Sequence, residues 1–289
     1  KKLKKYCEDE GFMGWDPYDG LNSKFFKSLP IKHYDLARFF WIQLFKRNPI
    51  NFRKIVKVPK EYNSKGIGLF LSGYCNLYNI SIVKNKEFGS KKEILKKINF
   101  LSELLLDLSN KNYSGDCWGY NFDWQGRRLF LFPANTPTVV ATSFCAEALL
   151  KSYEITKNKK YLNSAISSSE FILNDIKRTT VDRGFLFSYS PINGNNTVFN
   201  ASLLAAKTLI MVYKHSRDKS LIDLAKKAIK TVCLNQKKDG SWVYGLLSFQ
   251  SWVDSFHTGY NLEAINLYSQ VTGDKQFEKY VKKGFDYYI

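Results

Sequence analysis

The stretch EALLKSYEITKNKKY, residues 147–161, decides the fold because the same pattern returns twice further along the chain. It recurs 60 residues later as KTLIMVYKHSRDKSL (207–221) and after another 56 residues as EAINLYSQVTGDKQF (263–277). Each copy reads as an apolar helix, a short turn with Asn or Asp before Lys, and a second, amphipathic helix, with the Asn or Asp suited to an N-cap. Repetition at this spacing predicts an array of helical hairpins.

The two helices of each repeat differ in polarity. The first helices, such as 139–146 and 199–206, are apolar or small on nearly every side, whereas the second helices carry a lysine-rich face. Helices that are apolar on all sides are buried, whereas helices with a single apolar face lie at the surface. The sequence therefore predicts an inner and an outer ring, an all-α fold of the α/α-toroid type with long aromatic loops at one mouth. A linear helical solenoid is the alternative, but its repeats usually run to about 34–47 residues. Helices are predicted near residues 33–47, 67–84, 90–109, 138–156, 159–176, 198–215, 218–235, 253–271 and 274–288.

The composition fits a single globular domain over residues 1–289. Hydrophobic residues make up 44% of the chain and aromatic residues 16%, enough for a packed core, which excludes intrinsic disorder. No run approaches the ~20 apolar residues that a membrane span requires. The net charge of +18 comes from 36 Lys and only 8 Arg spread along the chain, which disfavours nucleic-acid binding but fits an acidic ligand. The five cysteines include no C-x-x-C pair, so neither a disulfide framework nor a zinc site is predicted.

The two ends of the sequence both read as helices without caps. The pattern at residues 1–6 resembles the middle of a helix, and the chain stops at 285–289 still in helical rhythm. We therefore expect an incomplete ring of the (α/α)6 type, belonging to a longer polypeptide. No signal peptide is visible, and a cytoplasmic location is expected.

Several motifs resemble known α/α-toroid proteins. QKKDGSW (236–242) resembles the structural repeat motif of terpenoid cyclases, which share the toroid with six-hairpin glycosidases, although no Asp-rich initiating motif for terpenoid cyclisation is present. WGYNFDWQ (118–125), NTPTVVATSF (135–144) and DSFHTGY (254–260) are similar to a poorly characterised bacterial family found among capsule and O-antigen biosynthesis proteins. The resemblance implies a six-hairpin-like fold and work on surface polysaccharide, without supplying a proven reaction.

The loop between the helices predicted at 90–109 and 138–156 alternates aromatic and polar side chains. Aromatic faces stack on the C–H faces of a sugar, while carboxylate, amide and guanidinium groups bind its hydroxyl and acidic groups. The alternative interpretation is a structural plug, in which the aromatic residues pack and the acidic residue caps a turn. The predicted substrate contacts here are Trp118, Tyr120, Trp124, Gln125, Arg127 and Asn135, with Asp123 as a catalytic candidate.

A second cluster opens the inner helix predicted near residue 253. Asp254, His257 and Tyr260 follow one another at intervals of three, so they lie along one face of a helix. Histidine can serve as a base and tyrosine as an acid near neutral pH if their surroundings shift them. The alternative is an N-cap Asp254 with a satisfied His257 beneath it. We predict catalytic roles for these three residues and substrate contacts from Trp242 and Trp252.

The remaining motifs restrict the chemistry without selecting one reaction. Asp16 and Asp19 lie in a Gly- and Pro-rich stretch typical of turns, with substrate contact as the weaker alternative. Neither a phosphate-binding loop nor a metal-hydrolase motif is present, so no metal and no cofactor are predicted.

Three functions remain open. A glycoside hydrolase would use Asp123 and Asp254 as a carboxylate pair. A uronate lyase or epimerase would use His257 and Tyr260 as base and acid, with Arg127 neutralising the substrate. A non-catalytic glycan-binding or assembly subunit is the third. In each case the expected partner is an acidic or neutral oligosaccharide or polysaccharide, and the oligomeric state is left open.

Overall fold

A computed structural model describes residues 1–81, 88–126 and 131–289 of the chain. Within these residues, four helical hairpins follow one another, each with an inner and an outer helix. They are α4 (Ser64–Ser81) with α5 (Lys91–Asp107), α6 (Val139–Thr156) with α7 (Lys159–Glu170), α8 (Phe199–Ser216) with α9 (Lys219–Leu234), and α10 (Ser255–Thr272) with α11 (Glu278–Tyr288). A π-helical turn, Phe171–Asp175, continues α7.

The first helix of each hairpin forms the inner layer. The inner helices pack in the order α4, α6, α8, α10, and each outer helix packs against its own inner partner. Helix α8 is buried over almost its whole length from Phe199 to Val212, whereas α9 buries only one face. The predicted all-α toroid, with the helices that begin near 138, 198 and 253 on the inside, is thereby confirmed.

The turns between inner and outer helices repeat the same local chemistry. Lys157, Arg217 and Gly273 end the inner helices in the left-handed conformation, with φ values of 58°, 59° and 75°. The next residue is an Asn or Asp in every case, and the side chains of Asn158 and Asp218 accept a hydrogen bond from a backbone N–H of the following helix. The Asn/Asp caps predicted from the repeat are therefore present.

Two of the loops that follow outer helices, those after α5 and α9, are anchored by buried tryptophans. Trp118 Nε1 donates to the Leu105 carbonyl at 2.8 Å, and Trp242 Nε1 donates to the Val232 carbonyl at 3.0 Å. Both rings lie in the core, with 0% and 2% of their surface exposed. Neither ring presents a face to a ligand, so these two residues pack the fold in place of the predicted substrate contacts.

The QKKDGSW motif has a structural role here, as the resemblance implied. Gln236 Nε2 donates to the carbonyls of Gly240 and Tyr280, both at 2.9 Å. Asp239 Oδ1 accepts hydrogen bonds from the backbone N–H and the hydroxyl of Ser241. The motif thus fastens the loop after α9 to helix α11.

Residues 1–63 precede the hairpins and cover one side of the ring. They contain α1 (Lys2–Asp9), α2 (Lys24–Ser28) and α3 (Asp35–Arg47), of which α3 was predicted. Phe12 packs against Phe70 and Tyr74 of α4, which fixes this segment to the first inner helix. Among the residues that the structure describes, the strands form two short antiparallel pairs in loops, namely β1 (Trp124–Gln125) with β2 (Leu131–Phe132), and β3 (Arg178–Val181) with β4 (Gly184–Phe187).

No helix within residues 1–81, 88–126 and 131–289 is both long enough and apolar enough to span a membrane.

Candidate functional site

Three loops meet at the end of the ring where the inner helices begin. Each contributes a tyrosine: Tyr120 from the loop before α6, Tyr189 from the loop before α8, and Tyr244 from the loop before α10. The side chains of Tyr120 and Tyr189 interact with each other, and Tyr244 interacts electrostatically with Tyr189. The two aromatic loops singled out in the sequence therefore open on the same side of the molecule.

Asp254 and His257 form a dyad at the start of α10. Asp254 is the N-cap residue, and its Oδ1 accepts from the backbone N–H of His257 at 2.9 Å. Its Oδ2 lies 2.5 Å from His257 Nδ1. Partial burial alone would raise the pKa of Asp254, but the hydrogen bonds from the His257 backbone and ring lower it below its usual value. Because the ionised carboxylate only accepts, Nδ1 carries the proton and Nε2 is left available for proton transfer.

Aromatic side chains surround the His257 ring. The centroid of the Tyr244 ring lies 4.7 Å from it, edge-on, and that of Tyr260 lies 6.5 Å from it. Trp252 is stacked on Tyr244 at 4.5 Å with 40% of its surface exposed. Burial raises the pKa of Tyr244 and of Tyr260, so both phenols are protonated hydrogen-bond donors at neutral pH. This group places a base, two proton donors and an open aromatic face together.

A cavity of about 960 Å³ lies next to this group. Its walls come from residues 6–18 and 45–53, the start of α4, and the loop before α6. Trp15, Tyr18 and Trp124 supply aromatic surface, and Tyr120 and Tyr189 close the side toward His257. The volume is at the upper end of the usual range for a small-ligand site, about 300–1,000 Å³. His257 lies beside this cavity and not in its wall, with Tyr189 and Tyr244 between them.

Charged groups also line the cavity. Arg53 Nε donates to Asp19 Oδ1 at 2.8 Å, a buried pair that holds the turn at 16–19. Asp16 Oδ1 accepts from the backbone N–H of Tyr18 at 2.9 Å, which is the turn chemistry the sequence predicted. Burial raises the pKa of Asp16, and burial lowers the pKa of Lys65, which faces the same space.

The predicted site residues fall into separate groups. Tyr120 and Trp124 line the cavity, whereas Asp254, His257, Tyr260 and Trp252 form the adjoining histidine group. Trp118 and Trp242 lie in the core, as described above, and Arg127 lies outside the described residues.

The remaining predicted residues hold their loop together. Asp123 Oδ1 accepts from the Ala134 backbone N–H at 2.7 Å, and Gln125, which is 1% exposed, accepts from Arg38 Nε at 2.8 Å. Asn135 occupies a left-handed turn (φ 62°), and its backbone N–H donates to the Tyr120 carbonyl. The described contacts do not join Asp123 to Asp254, and for Asp123 they correspond to the alternative of a turn-capping residue.

Sequence reasoning did not identify two of the cavity residues, Lys65 and Tyr189. Lys65 is one of many lysines in the chain, and only its place in the first turn of an inner helix distinguishes it. Tyr189 ends the segment GFLFSY (184–189), as Tyr120 ends GDCWGY (115–120) and Tyr244 ends DGSWVY (239–244), and this repetition could have marked it. No group of three His, Cys, Asp or Glu side chains in the described ranges is arranged to hold a metal ion.

No protein-family model and no curated protein matches the chain. Several solved structures share its fold. A sugar epimerase from a ruminal bacterium aligns at 15% identity with a TM-score of 0.57, over 80% of this chain and 62% of the epimerase. A polysaccharide lyase aligns at 16% identity with a TM-score of 0.51, over 78% of this chain and 58% of the lyase. The α-1,6-mannanase GH76A of a Salegentibacter species aligns at 14% identity with a TM-score of 0.57, over 80% of this chain and 62% of the mannanase.

The chain thus spans about three fifths of the length of these proteins. At such identities the likeness establishes the toroid fold. The three proteins are named for different reactions, so the fold by itself does not select among them.

Proposed function

We propose that this protein is a carbohydrate-processing enzyme that moves a proton to or from a sugar carbon, with His257 as the base. The observation that carries the proposal is the Asp254–His257 dyad at the mouth of the toroid, with Nδ1 and Oδ2 2.5 Å apart and Tyr244 and Tyr260 beside the ring. A carboxylate that fixes the tautomer of a histidine and stabilises its protonated form is the arrangement that proton transfer requires.

The chemistry follows from the groups present. His257 Nε2 would take the proton from the carbon next to a carboxyl or carbonyl group of the sugar, and the electron pair would move into that group. In an epimerase the carbon regains a proton on its opposite face; in a lyase the neighbouring glycosidic oxygen leaves and takes a proton. The protonated Tyr260 or Tyr244 hydroxyl is the candidate donor for either step. Trp252, stacked on Tyr244 and 40% exposed, would hold the sugar ring.

The glycoside-hydrolase alternative has weaker support. It needs two carboxyl groups facing one glycosidic bond. Asp123 is engaged with the Ala134 backbone N–H and does not line the cavity, and Asp254 is engaged with His257. We therefore favour epimerisation or elimination over hydrolysis.

The wider setting of the reaction rests on the sequence resemblance. We propose a bacterial surface polysaccharide, or an oligosaccharide precursor of one, as the substrate, and a cytoplasmic location. The shared fold with a sugar epimerase and a polysaccharide lyase supports a carbohydrate substrate in general.

The test is a product assay on a panel of acidic and neutral bacterial oligosaccharides and polysaccharides. Reducing ends, ultraviolet absorbance of unsaturated uronate, and NMR signals of the epimeric sugar are followed in parallel. Absorbance or a new epimer, lost in His257→Gln, supports the proposal. If new reducing ends form without unsaturated product, and His257→Gln still forms them, the protein is a glycoside hydrolase and the proposal is wrong. Binding without any product would identify the non-catalytic glycan-binding alternative.

A further inference from the structure

Lys65 is a half-buried lysine whose side chain lines the cavity next to the histidine group. It lies in the first turn of α4 and lines the cavity of about 960 Å³. Its ammonium group sits 4.8 Å from the centroid of the Phe144 ring. Over the part of the chain that the structure describes, it forms no salt bridge and no hydrogen bond with another residue. Burying a charge without a partner is costly, so a cation left in this state suggests that a ligand supplies the missing anion.

The other cations around the cavity are differently placed. Arg53 is committed to Asp19 and to the Asp16 carbonyl. Lys60, which lies over the Trp15 ring, is paired with Glu10. Lys46 is exposed at the rim, over the Tyr18 ring. Among these four, Lys65 alone is partly buried and lines the cavity without an ion-pair partner.

Asp16 is the carboxyl group that interacts most directly with Lys65. The two attract each other electrostatically, but they do not approach to ion-pair distance. Asp16 Oδ1 is occupied by the Tyr18 backbone N–H. The pair therefore presents a cation and a hydrogen-bonding carboxyl group to the same space, a pattern that suits an acidic group beside a hydroxyl.

Phe144 connects this position with the histidine group. Its ring faces the Lys65 ammonium and also contacts the Tyr260 ring, edge-on, at 5.5 Å between centroids. Tyr260 in turn neighbours His257. Two successive aromatic rings, those of Phe144 and Tyr260, thus connect Lys65 with the proposed base, so both groups can contact one chain of linked sugars.

We propose that the substrate is a uronic acid–containing glycan and that Lys65 binds the uronate carboxylate, with Asp16 bonded to a neighbouring hydroxyl. This inference rests on the proposed function for the reaction it serves. A charge-assisted contact between the Lys65 ammonium and the carboxylate would hold the acidic sugar in the cavity. The role is the one that the sequence assigned to Arg127.

The experiment measures binding and turnover on matched glycans. The probes are oligosaccharides of galacturonate, glucuronate and mannuronate, each compared with the same oligosaccharide after reduction of its carboxyl groups. Dissociation constants come from titration calorimetry on the wild type, Lys65→Met and Lys65→Arg. The matched control is Lys279→Met, which removes an exposed lysine that likewise lies over an aromatic ring, Tyr280, in the outer helix α11.

The expected result is that at least one acidic probe binds and its reduced form does not. Lys65→Met weakens binding by about 10- to 100-fold, the size of effect typical of a charge-assisted contact. Lys65→Arg recovers part of the loss, Lys279→Met behaves as wild type, and all variants keep the wild-type melting temperature within a few degrees. Binding unaffected by carboxyl reduction, binding equal in wild type and Lys65→Met, or no binding of any acidic probe would overturn the inference.

The same measurements separate this inference from the proposed function. Lys65-dependent binding of an acidic glycan that is never converted leaves the inference standing and removes the proposed reaction. Conversion of a neutral glycan that needs His257 but not Lys65 would support the proposed reaction and overturn this inference.

Discussion

Glu147 Oε2 and Lys207 Nζ lie 2.8 Å apart inside the toroid, although 60 residues separate them in the sequence. The same ammonium group is 2.7 Å from Glu263 Oε1, another 56 residues along the chain. These distances along the chain are the two repeat offsets, so the three residues occupy one equivalent position on α6, α8 and α10. A single ion-pair network therefore joins three inner helices at the same level of the ring.

Removing the centre of this network should destabilise the fold. Lys207 is 4% exposed, and Glu147 is largely buried beside it. We expect Lys207→Met to lower the free energy of unfolding by about 3 kcal/mol, because it leaves a buried carboxylate short of a partner. The loss stays at the lower end of the usual range since Lys151 remains 2.7 Å from Glu147. Urea denaturation measures it, and the double variant Lys207→Met/Glu147→Gln should be less destabilised than Lys207→Met alone. A single variant as stable as wild type would show that the network contributes little.

The network also predicts a pH dependence of stability. Burial alone would raise the pKa of Glu147, but Lys207 and Lys151 bring it below its usual value of 4.5. The folded state then binds fewer protons than the unfolded state, so the contribution of Glu147 is present above pH 4.5 and is lost as the pH falls through the lower folded pKa. Urea midpoints between about pH 3 and pH 6 should fall less steeply in Glu147→Gln than in wild type. Parallel curves would contradict the assignment.

The glycine of the QKKDGSW motif should be less replaceable than a glycine of similar conformation elsewhere. Gly240 and Gly194 have φ values of 99° and 105°, so alanine is strained at both. At Gly240 a Cβ atom would lie 2.2 Å from the Lys283 carbonyl oxygen, whereas at Gly194 it would meet open space. Gly194→Ala should cost about 1–2 kcal/mol, and Gly240→Ala about 2 kcal/mol more because α11 must move. Equal losses by thermal denaturation would argue against the close contact between this loop and α11.

Much of the fold could be predicted because the repeat depends on the residue types within short segments of the chain. The polarity difference between 199–206 and the lysine-rich second helices, and the Asn or Asp after each inner helix, are properties of short segments. The path of residues 1–63 could not be predicted in this way, since it depends on contacts between distant parts of the chain, such as Phe12 with Phe70.

The site was harder to predict for a related reason. An aromatic loop that plugs the core and one that binds a sugar have the same composition, so Trp118 and Trp252 looked alike in sequence although one is buried and the other exposed. Asp254 and His257 could be selected because helical spacing fixes their proximity. Lys65 could not, because only the fold shows that this lysine lines the cavity.

Asp254→Asn should separate the two roles of this residue. Asparagine caps a helix about as well as aspartate, so stability should change by no more than about 0.5 kcal/mol. An amide cannot stabilise the protonated imidazole, and turnover should fall by about 10²–10⁴-fold. Asp218→Asn is the matched control, because Asp218 caps α9 in the same way and lies outside the site. If Asp254→Asn keeps full turnover, Asp254 serves only as a helix cap and has no role in proton transfer.

The exchange of sugar C–H hydrogen with solvent deuterium tests the central claim most directly. Acidic glycans are incubated in D₂O with wild type, His257→Gln and His215→Gln, and deuterium at the sugar carbons, together with C–H loss to unsaturated product, is followed by NMR. His215 is the matched control, since it contacts the Tyr153 ring edge-on at 5.9 Å, as His257 contacts Tyr244, but lies at the opposite end of an inner helix. We expect C–H cleavage by wild type and His215→Gln and a decrease of about 10²–10⁴-fold in His257→Gln. Equal rates in all three proteins, or glycan cleavage with every sugar C–H bond retained, would contradict it.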